Sequence, residues 1–522
     1  MASKSLFQSI AGALAPKADA INESGGQAYQ MSPRHALAQY AATGCLNHTY
    51  YATAEDQLQK ILVLCEKVPT DFIARTAVHC REKGFMKDVP ALLCAVLAAR
   101  DAERLELIFG RVINDAKMLR NFVQILRSGV TGRKSLGSLP KRLVRKWFEN
   151  RSDEAVFRAD VGQSPSVADI IKMVHPHPGS PSREALYGHL IGRAHQAEAL
   201  PPLVREFEAW KLDPQGEPPD VPFQMLTSLP LTTEQWLAIA RRATWQTTRM
   251  NLNTFARHGV FTHPDVTGLI ASRLRSEDQV RCARIFPYQL MAAFMNVGAD
   301  VPHAVKEALQ DAMEIAVSNV PVVSGKVVVA PDVSGSMHSS VTGLRKGATS
   351  KIRCIDVAAL VAAAFLRQNR DAEVLPFENK VVPVSLNPRD SVMTNAQKLA
   401  SLPAGGTNCS TVLMDLNARK AKADLVIYVS DNESWMDTPA HGRFGGSPTR
   451  TMSEWNVFKQ RNPQARLVCL DIQPYATTQA QERENILNIG GFSDQVFQVI
   501  ASFASGQLGP DHWVGEIENT AL

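Results

Sequence analysis

At Pro321 the hydrophobic period of this chain changes, and one fold class cannot accommodate both sides. From residue 27 to 318, apolar residues recur at helical spacing and each run ends at Pro, Gly, Asn or Asp; examples are "LQKILVLCEKV", "LRNFVQILRSG", "EQWLAIARRA" and "AVKEALQDAMEIAV". The strict alternation of a half-buried strand is almost absent. Runs return about every 20 residues, so pairs repeat near 40, the period of HEAT-like arrays. An all-α helical array is expected there, with a compact helical bundle as the alternative. Beyond Pro321, "KVVVAP", "AEVLPF", "LVIYVS" and "RLVCLD" are short β-branched runs suited to strands buried on both faces. The helical run "RCIDVAALVAAAFLRQN" separates the first two, and "STVLMDLNARKA" precedes the third. Strands alternating with helices predict an α/β doubly wound, mostly parallel sheet.

A chain of 522 residues supports roughly two to four domains. The patterns divide it into an N-terminal arm (1–26), a helical-repeat domain (27–320), an α/β domain (321–505) and a polar C-terminal tail or packed arm (506–522). At 45% hydrophobic and 20% charged residues, the composition is globular and argues against wholesale disorder. The eight cysteines are scattered singly with no CxxC pair, as expected of buried thiols in a reducing compartment. The longest apolar runs are about half the ~20 residues a bilayer requires. The opening "MASKSLFQSIAGALAPKADA" lacks the pattern of a signal peptide, so a cytoplasmic protein is expected.

The first apolar strand runs into "DVSGSM", placing Asp332, Ser334 and Ser336 at its carboxyl end. In open α/β sheets that is where loops converge on ligands. Asp431 follows "LVIYVS" in the same way, and the loop "PAGGTNCS" brings Thr407 after two glycines that permit close backbone approach. Asp332, Ser334, Ser336, Thr407 and Asp431 are all hard oxygen donors. Such a set suits Mg²⁺, or Mn²⁺, and not zinc, and leaves a coordination position for an acidic group of a partner. Taken alone, Asp-x-Ser-x-Ser is also how a helix cap begins. The G-x-S-x-G elbow and the P-loop lysine signature are not met.

The densest positive charge lies far upstream. "RSGVTGRKSLGSLPKRLVRKWFENR" holds Arg127, Arg133, Lys134, Lys141, Arg142, Arg145, Lys146 and Arg151 against one acid, Glu149. In its second half Lys141, Arg142, Arg145 and Lys146 share one helical face, and Leu143, Val144, Trp147 and Phe148 the other. In a chain of net charge +5 this clustering is a candidate phosphate-binding face; a solvated helix surface is the bland alternative. A weaker basic group, Arg241, Arg242, Arg249 and Arg257, follows downstream. His175 and His177 lie in "VHPHP", where flanking prolines and the lack of a third ligand argue against a metal.

The Asp-x-Ser-x-Ser, Thr and Asp loops resemble the metal-ion-dependent adhesion site of a von Willebrand factor A domain. The helical half is similar to the TROVE module of Ro ribonucleoprotein autoantigens, notably at "TGCLNHTYYATAEDQL" and "ARIFPYQLMAA". TROVE followed directly by an A domain covers nearly the whole chain, and the bacterial members are the expected relatives. The resemblance implies a ring of HEAT-like helical repeats completed by the A domain. It also implies a non-enzymatic protein that holds Y RNA on the outer surface, with the basic segment as part of that site. Single-stranded ends of misfolded or precursor RNAs would pass through the central hole, with a 3′-to-5′ exoribonuclease tethered through the RNA. An RNA-free monomer and a role in RNA quality control and stress are further expectations. Val167 stands where animal Ro proteins tend to be more polar, so individual RNA contacts need not carry over. A metal-dependent scaffold whose helical array binds peptide is the competing class, and metal-dependent phosphotransfer a third.

Overall fold

In the computed structural model, the residues described are 16–522 apart from 45, 133, 163, 228, 284–286, 319, 344–351, 437–446, 492 and 509–510. Two compact units are formed, and they divide the chain differently from its hydrophobic patterns. One comprises residues up to Met86 together with Ile285–Ala292 and Met313–Ala521; the other comprises Lys87–Arg284 and Ala293–Ala312.

In the second unit, every regular element among the described residues is helical. Helix Ala116–Ser128 shows why. The Asp115 side chain accepts the Met118 N–H at its start, Met118, Leu119, Phe122, Val123 and Leu126 form its buried stripe, and Gly129 ends it at φ 82°. It packs against Asp88–Arg100, in which every residue from Val89 to Ala98 is buried, and that helix also receives Ala102–Val112. Reciprocal caps start Val167–Val174 (Ser166 with Asp169) and Thr233–Arg242 (Thr232 with Gln235).

The first unit contains the expected parallel sheet. Its strands are β3 (Val327–Pro331), β4 (Glu373–Val374), β5 (Leu425–Ser430), β6 (Arg466–Asp471) and β8 (Ile486–Gly490), in the order β4-β3-β5-β6-β8. All four neighbouring pairs run parallel. Val328, Ala330, Val426, Tyr428, Leu467 and Cys469 face a core shared with helices Ser410–Ala418 and Arg450–Arg461. The other face carries helix Cys354–Gln368, which is buried from Cys354 through Leu366. Leu470 there lies with Val357, Leu360, Val361, Val496 and Phe497. Helices on both faces explain why these strands read as unbroken apolar runs.

Two expectations change, and one further strand is added. "AEVLPF" yields only the two-residue edge strand β4, although the Leu375 and Phe377 N–H groups still donate to the Val329 and Pro331 carbonyls of β3; Pro376 faces the open edge, where its missing N–H costs no ladder bond. "ILNIG" forms β8 although its polar Asn488 breaks the apolar run. Most consequentially, the arm and the start of the expected helical-repeat domain belong with the A domain. β1 (Ala20–Ile21) and β2 (Gln27–Gln30) form an antiparallel hairpin, and β2 also pairs with β7 (Thr477–Thr478). Helix Pro33–Thr43 then docks against β8. Its Gln39 donates to the Asp471 carboxylate at 3.0 Å, and a ring nitrogen of its His35 lies 2.9 Å from the Asn488 carbonyl oxygen. The C-terminal segment is a packed arm: helix His512–Glu518 lies on Thr70–Glu82, and Trp513 meets His35 edge-on.

Burial pushes the pKa of His35 down to about 4. Its folded value thus lies below the unfolded one near 6.5, so its contribution is present above pH ~6.5 and is lost as pH falls toward 4. At about pH 5 that loss is ~2 kcal/mol. Between about pH 7 and pH 5, His35→Gln is expected to lose less stability than the unaltered protein by that amount in chemical denaturation. Identical pH slopes would refute this role.

Candidate metal centre and basic surface

The sheet order makes β3 and β5 neighbours while the chain leaves β3 for β4 on the opposite side, so the loops after β3 and β5 diverge at a switch point. Asp332 continues β3 and its N–H donates to the Val429 carbonyl at 2.9 Å. Ser334 donates its N–H to Asp332 Oδ1 at 2.8 Å, Ser430 donates its hydroxyl to Oδ2 at 2.6 Å, and the Ser334 and Ser336 oxygens lie 3.3 Å apart. The glycine loop is joined to this one by the Gly335 N–H, which donates to the Gly405 carbonyl at 2.9 Å. Side chains from neighbouring loops lie close over both glycines. A Cβ at Gly405 would fall 1.3 Å from Glu378 Oε2, and one at Gly406 2.7 Å from Asn379 Oδ1. Thr407 is held by its carbonyl, which accepts from the Trp435 and Met436 N–H groups at 3.2 and 3.1 Å. The Asp431 carboxyl interacts with Ser336 and accepts the Glu433 N–H at 3.3 Å.

All five sequence-chosen residues, Asp332, Ser334, Ser336, Thr407 and Asp431, are therefore buried on loops that meet at one end of the sheet. Burial, and then the charge of Asp431, push the Asp332 carboxyl up to about 7; burial raises Asp431 as well. Neither carboxylate has an ion-pair partner among the described residues. Two adjacent buried acids with hydroxyls around them and no cationic side chain are costly unless a cation compensates. The donor set thus fits a hard divalent ion. No three His, Cys, Asp or Glu converge anywhere among the described residues, so no zinc-type cluster forms. His175 and His177 are both exposed in the loop after Val167–Val174; His175 caps that helix at φ 50° and His177 Nδ1 accepts the Gly179 N–H.

A cavity of about 450 Å³ opens over these loops, lined by Ser336, Gly405, Thr407 and Trp435 and also by Glu23, Ser24, Tyr50 and Tyr51. Sequence reasoning missed the last four. They lie some three hundred residues or more upstream of the loops, and only the unpatterned run "TYY" hinted at them.

The basic segment belongs to the helical unit. Helix Ser138–Glu149 buries Pro140, Leu143, Val144, Trp147 and Phe148 and shows the other face to solvent, as its pattern predicts. Lys141 and Lys146 have side chains with no hydrogen-bond or ion-pair partner among the described residues. Arg142 pairs with Glu106 at 2.7 Å, and Arg145 donates to the Val174 carbonyl at 2.5 Å. Arg127 and Lys134 are exposed. Arg151 does a different job: it lies 3.5 Å over Trp147 and donates to the carbonyls of Trp147 and Asn114, both at 2.8 Å. Arg133 lies outside the described residues. Downstream, Arg241 pairs with Asp265 and Arg242 donates to the Pro219 carbonyl, so that weaker basic group is largely engaged. Val167 is fully buried and contributes to packing.

Residues 326–504 match the family model described as the Ro60 vWA domain. The chain is 24% identical over 532 residues to the "RNA-binding protein RO60" of Deinococcus radiodurans, covering 93% of this chain and 95% of that protein. It is 21% identical over 250 residues to the protein of the same name from Caenorhabditis elegans, covering 46% of this chain and 37% of that one. The crystal structure titled Deinococcus radiodurans RO (RSR) protein superposes with a TM-score of 0.61 at 19% identity, over 91% of this chain and all of that one, and so shares its fold. The helical region, the parallel sheet and the segment matching the Ro60 vWA domain follow one order along the chain, which is thus similar to Ro proteins over nearly its whole length.

Proposed function

We propose that this is a non-enzymatic RNA-binding protein whose helical unit holds structured RNA on the face of helix Ser138–Glu149. The observation that carries the reading is that Lys141 and Lys146, without partners among the described residues, stand beside Arg142 and Arg145, opposite a fully apolar buried face. Phosphate contacts of this kind supply affinity and position without reading sequence. The names of the Deinococcus and Caenorhabditis relatives support RNA as the ligand class. On this reading the RNA is a Y RNA, single-stranded ends of misfolded or immature RNAs enter the hole that the family resemblance implies, and a 3′-to-5′ exoribonuclease is recruited through the RNA. Quality control and the stress response are then its setting, and the cytoplasm its place.

The A-domain loops form a separate docking site. Asp332, Ser334, Ser336, Thr407 and Asp431 would hold Mg²⁺ or Mn²⁺, and the ion would supply a positive centre for an acidic group of a partner protein. Crosslinking in cells, followed by sequencing of the RNA and mapping of the crosslinked peptides, tests the reading. Small structured RNAs attached to peptides from 127–151 are expected. Recovery of no RNA, or of RNA joined only to other surfaces, would favour the peptide-binding scaffold instead.

A further inference from the structure

The Asp431 loop is not held by the sheet alone. The turn between β1 and β2 grips it: Asn22 Nδ2 donates to the Ser434 carbonyl at 2.7 Å, the Ser24 N–H to Glu433 Oε2 at 2.9 Å and the Ser24 hydroxyl to the Glu433 carbonyl at 3.1 Å. The turn is itself braced, because Asn22 Oδ1 accepts from the Gly26 N–H at 2.6 Å and lies 2.9 Å from the Ser24 hydroxyl, whose single proton is shared between it and the Glu433 carbonyl. The fit leaves no slack: a Cβ at Gly26 would lie 2.0 Å from the Ser434 carbonyl oxygen. Asn22 is 5% exposed and Glu433 and Ser434 are fully buried, so the Asn22–Ser434 bond is shielded from water, while Ser24 is half-buried at the edge of the cavity. Ser434 passes the constraint on, since its hydroxyl accepts the Cys409 N–H at 2.9 Å just beyond Thr407. One turn of the N-terminal segment thereby fixes the loops that carry two of the five proposed ligands.

We infer that Asn22 and Ser24 are positioning residues for the metal centre: the N-terminal hairpin sets the geometry of the Asp431 and Thr407 loops and hence their affinity for a divalent cation. This rests on the metal reading above. Outer partners that orient ligands in this way alter metal affinity by ~10- to 100-fold when removed.

The test uses the full-length chain and Mn²⁺ alone as probe, with free Mn²⁺ followed by electron paramagnetic resonance. Asn22→Ala and Ser24→Ala are each expected to weaken Mn²⁺ binding at least ~10-fold, and Ser24→Thr, which keeps the hydroxyl, to restore most of it. Gln30→Ala is the control: it lies on the same hairpin, and its side chain donates to the Ala476 carbonyl, away from the loops. Melting in EDTA reports folding separately. If the unaltered protein binds Mn²⁺ and the Asn22 and Ser24 variants, folded in EDTA, bind it equally well, the inference is wrong. If the unaltered protein takes up no Mn²⁺, the metal reading fails and this inference with it.

Discussion

Reversing the charge of Lys141, Arg142, Arg145 and Lys146 together is expected to weaken binding of a structured small RNA by ~1,000-fold at ~100 mM salt. The same change should flatten the log–log salt dependence by about 3, since each lost phosphate contact removes ~0.7 to 0.9 of slope. The structure shows how to separate this from damage to the fold. Arg142 and Arg145 have partners within the protein, Glu106 and the Val174 carbonyl, whereas Lys141 and Lys146 have none among the described residues. Lys141→Glu with Lys146→Glu should therefore keep the melting temperature and produce about half of the slope change. The exposed Arg142–Glu106 pair contributes at most ~1 kcal/mol, so its loss in the fourfold variant is tolerable. Unchanged, salt-insensitive binding would remove helix Ser138–Glu149 from the site. Arg151, committed to Trp147 and Asn114, should behave differently, its loss costing stability before affinity.

The second large effect belongs to Asp332→Asn. The substitution keeps Oδ1 for the Ser334 N–H, and the Ser430 hydroxyl can turn to accept from the new amide. It removes one of two adjacent buried charges. Without metal, the variant is therefore expected to melt at or above the temperature of the unaltered protein. Adding Mg²⁺ should reverse the order. At a hundredfold excess over its dissociation constant the ion stabilises a protein that binds it by ~2.7 kcal/mol, and the variant should gain almost nothing. RNA affinity should stay within about twofold, because the ligand loops and the basic helix belong to different units. A variant that still gains the full increment with Mg²⁺ would exclude Asp332 as a ligand.

The sequence revealed most where the physics is local. Both faces of β3, β5 and β6 are covered, so each strand reads as an apolar run, and the β3 and β5 runs stop immediately before the candidate ligands Asp332 and Asp431. The stripe in Ser138–Glu149 could be read because one face meets the core and the other water. What stayed hidden depends on pairing across distance. β1, β4 and β7 are two residues long and carry no period. Asn22 and Ser24 look like ordinary turn residues, and their contacts with Glu433 and Ser434 span more than four hundred positions. The domain boundary moved for the same reason. A helix such as Pro33–Thr43 has the same period whichever unit it packs on; the partners of Gln39 and His35 place it with the sheet.

The central claim is that RNA is held electrostatically by the helical unit and independently of the metal loops. The most direct measurement is a salt titration of RNA binding by the unaltered protein, performed once in Mg²⁺ and once in EDTA with ionic strength matched. A log–log slope of about −3 or steeper, and the same line in both buffers, is expected. A flat line, or affinity that collapses in EDTA, would contradict it.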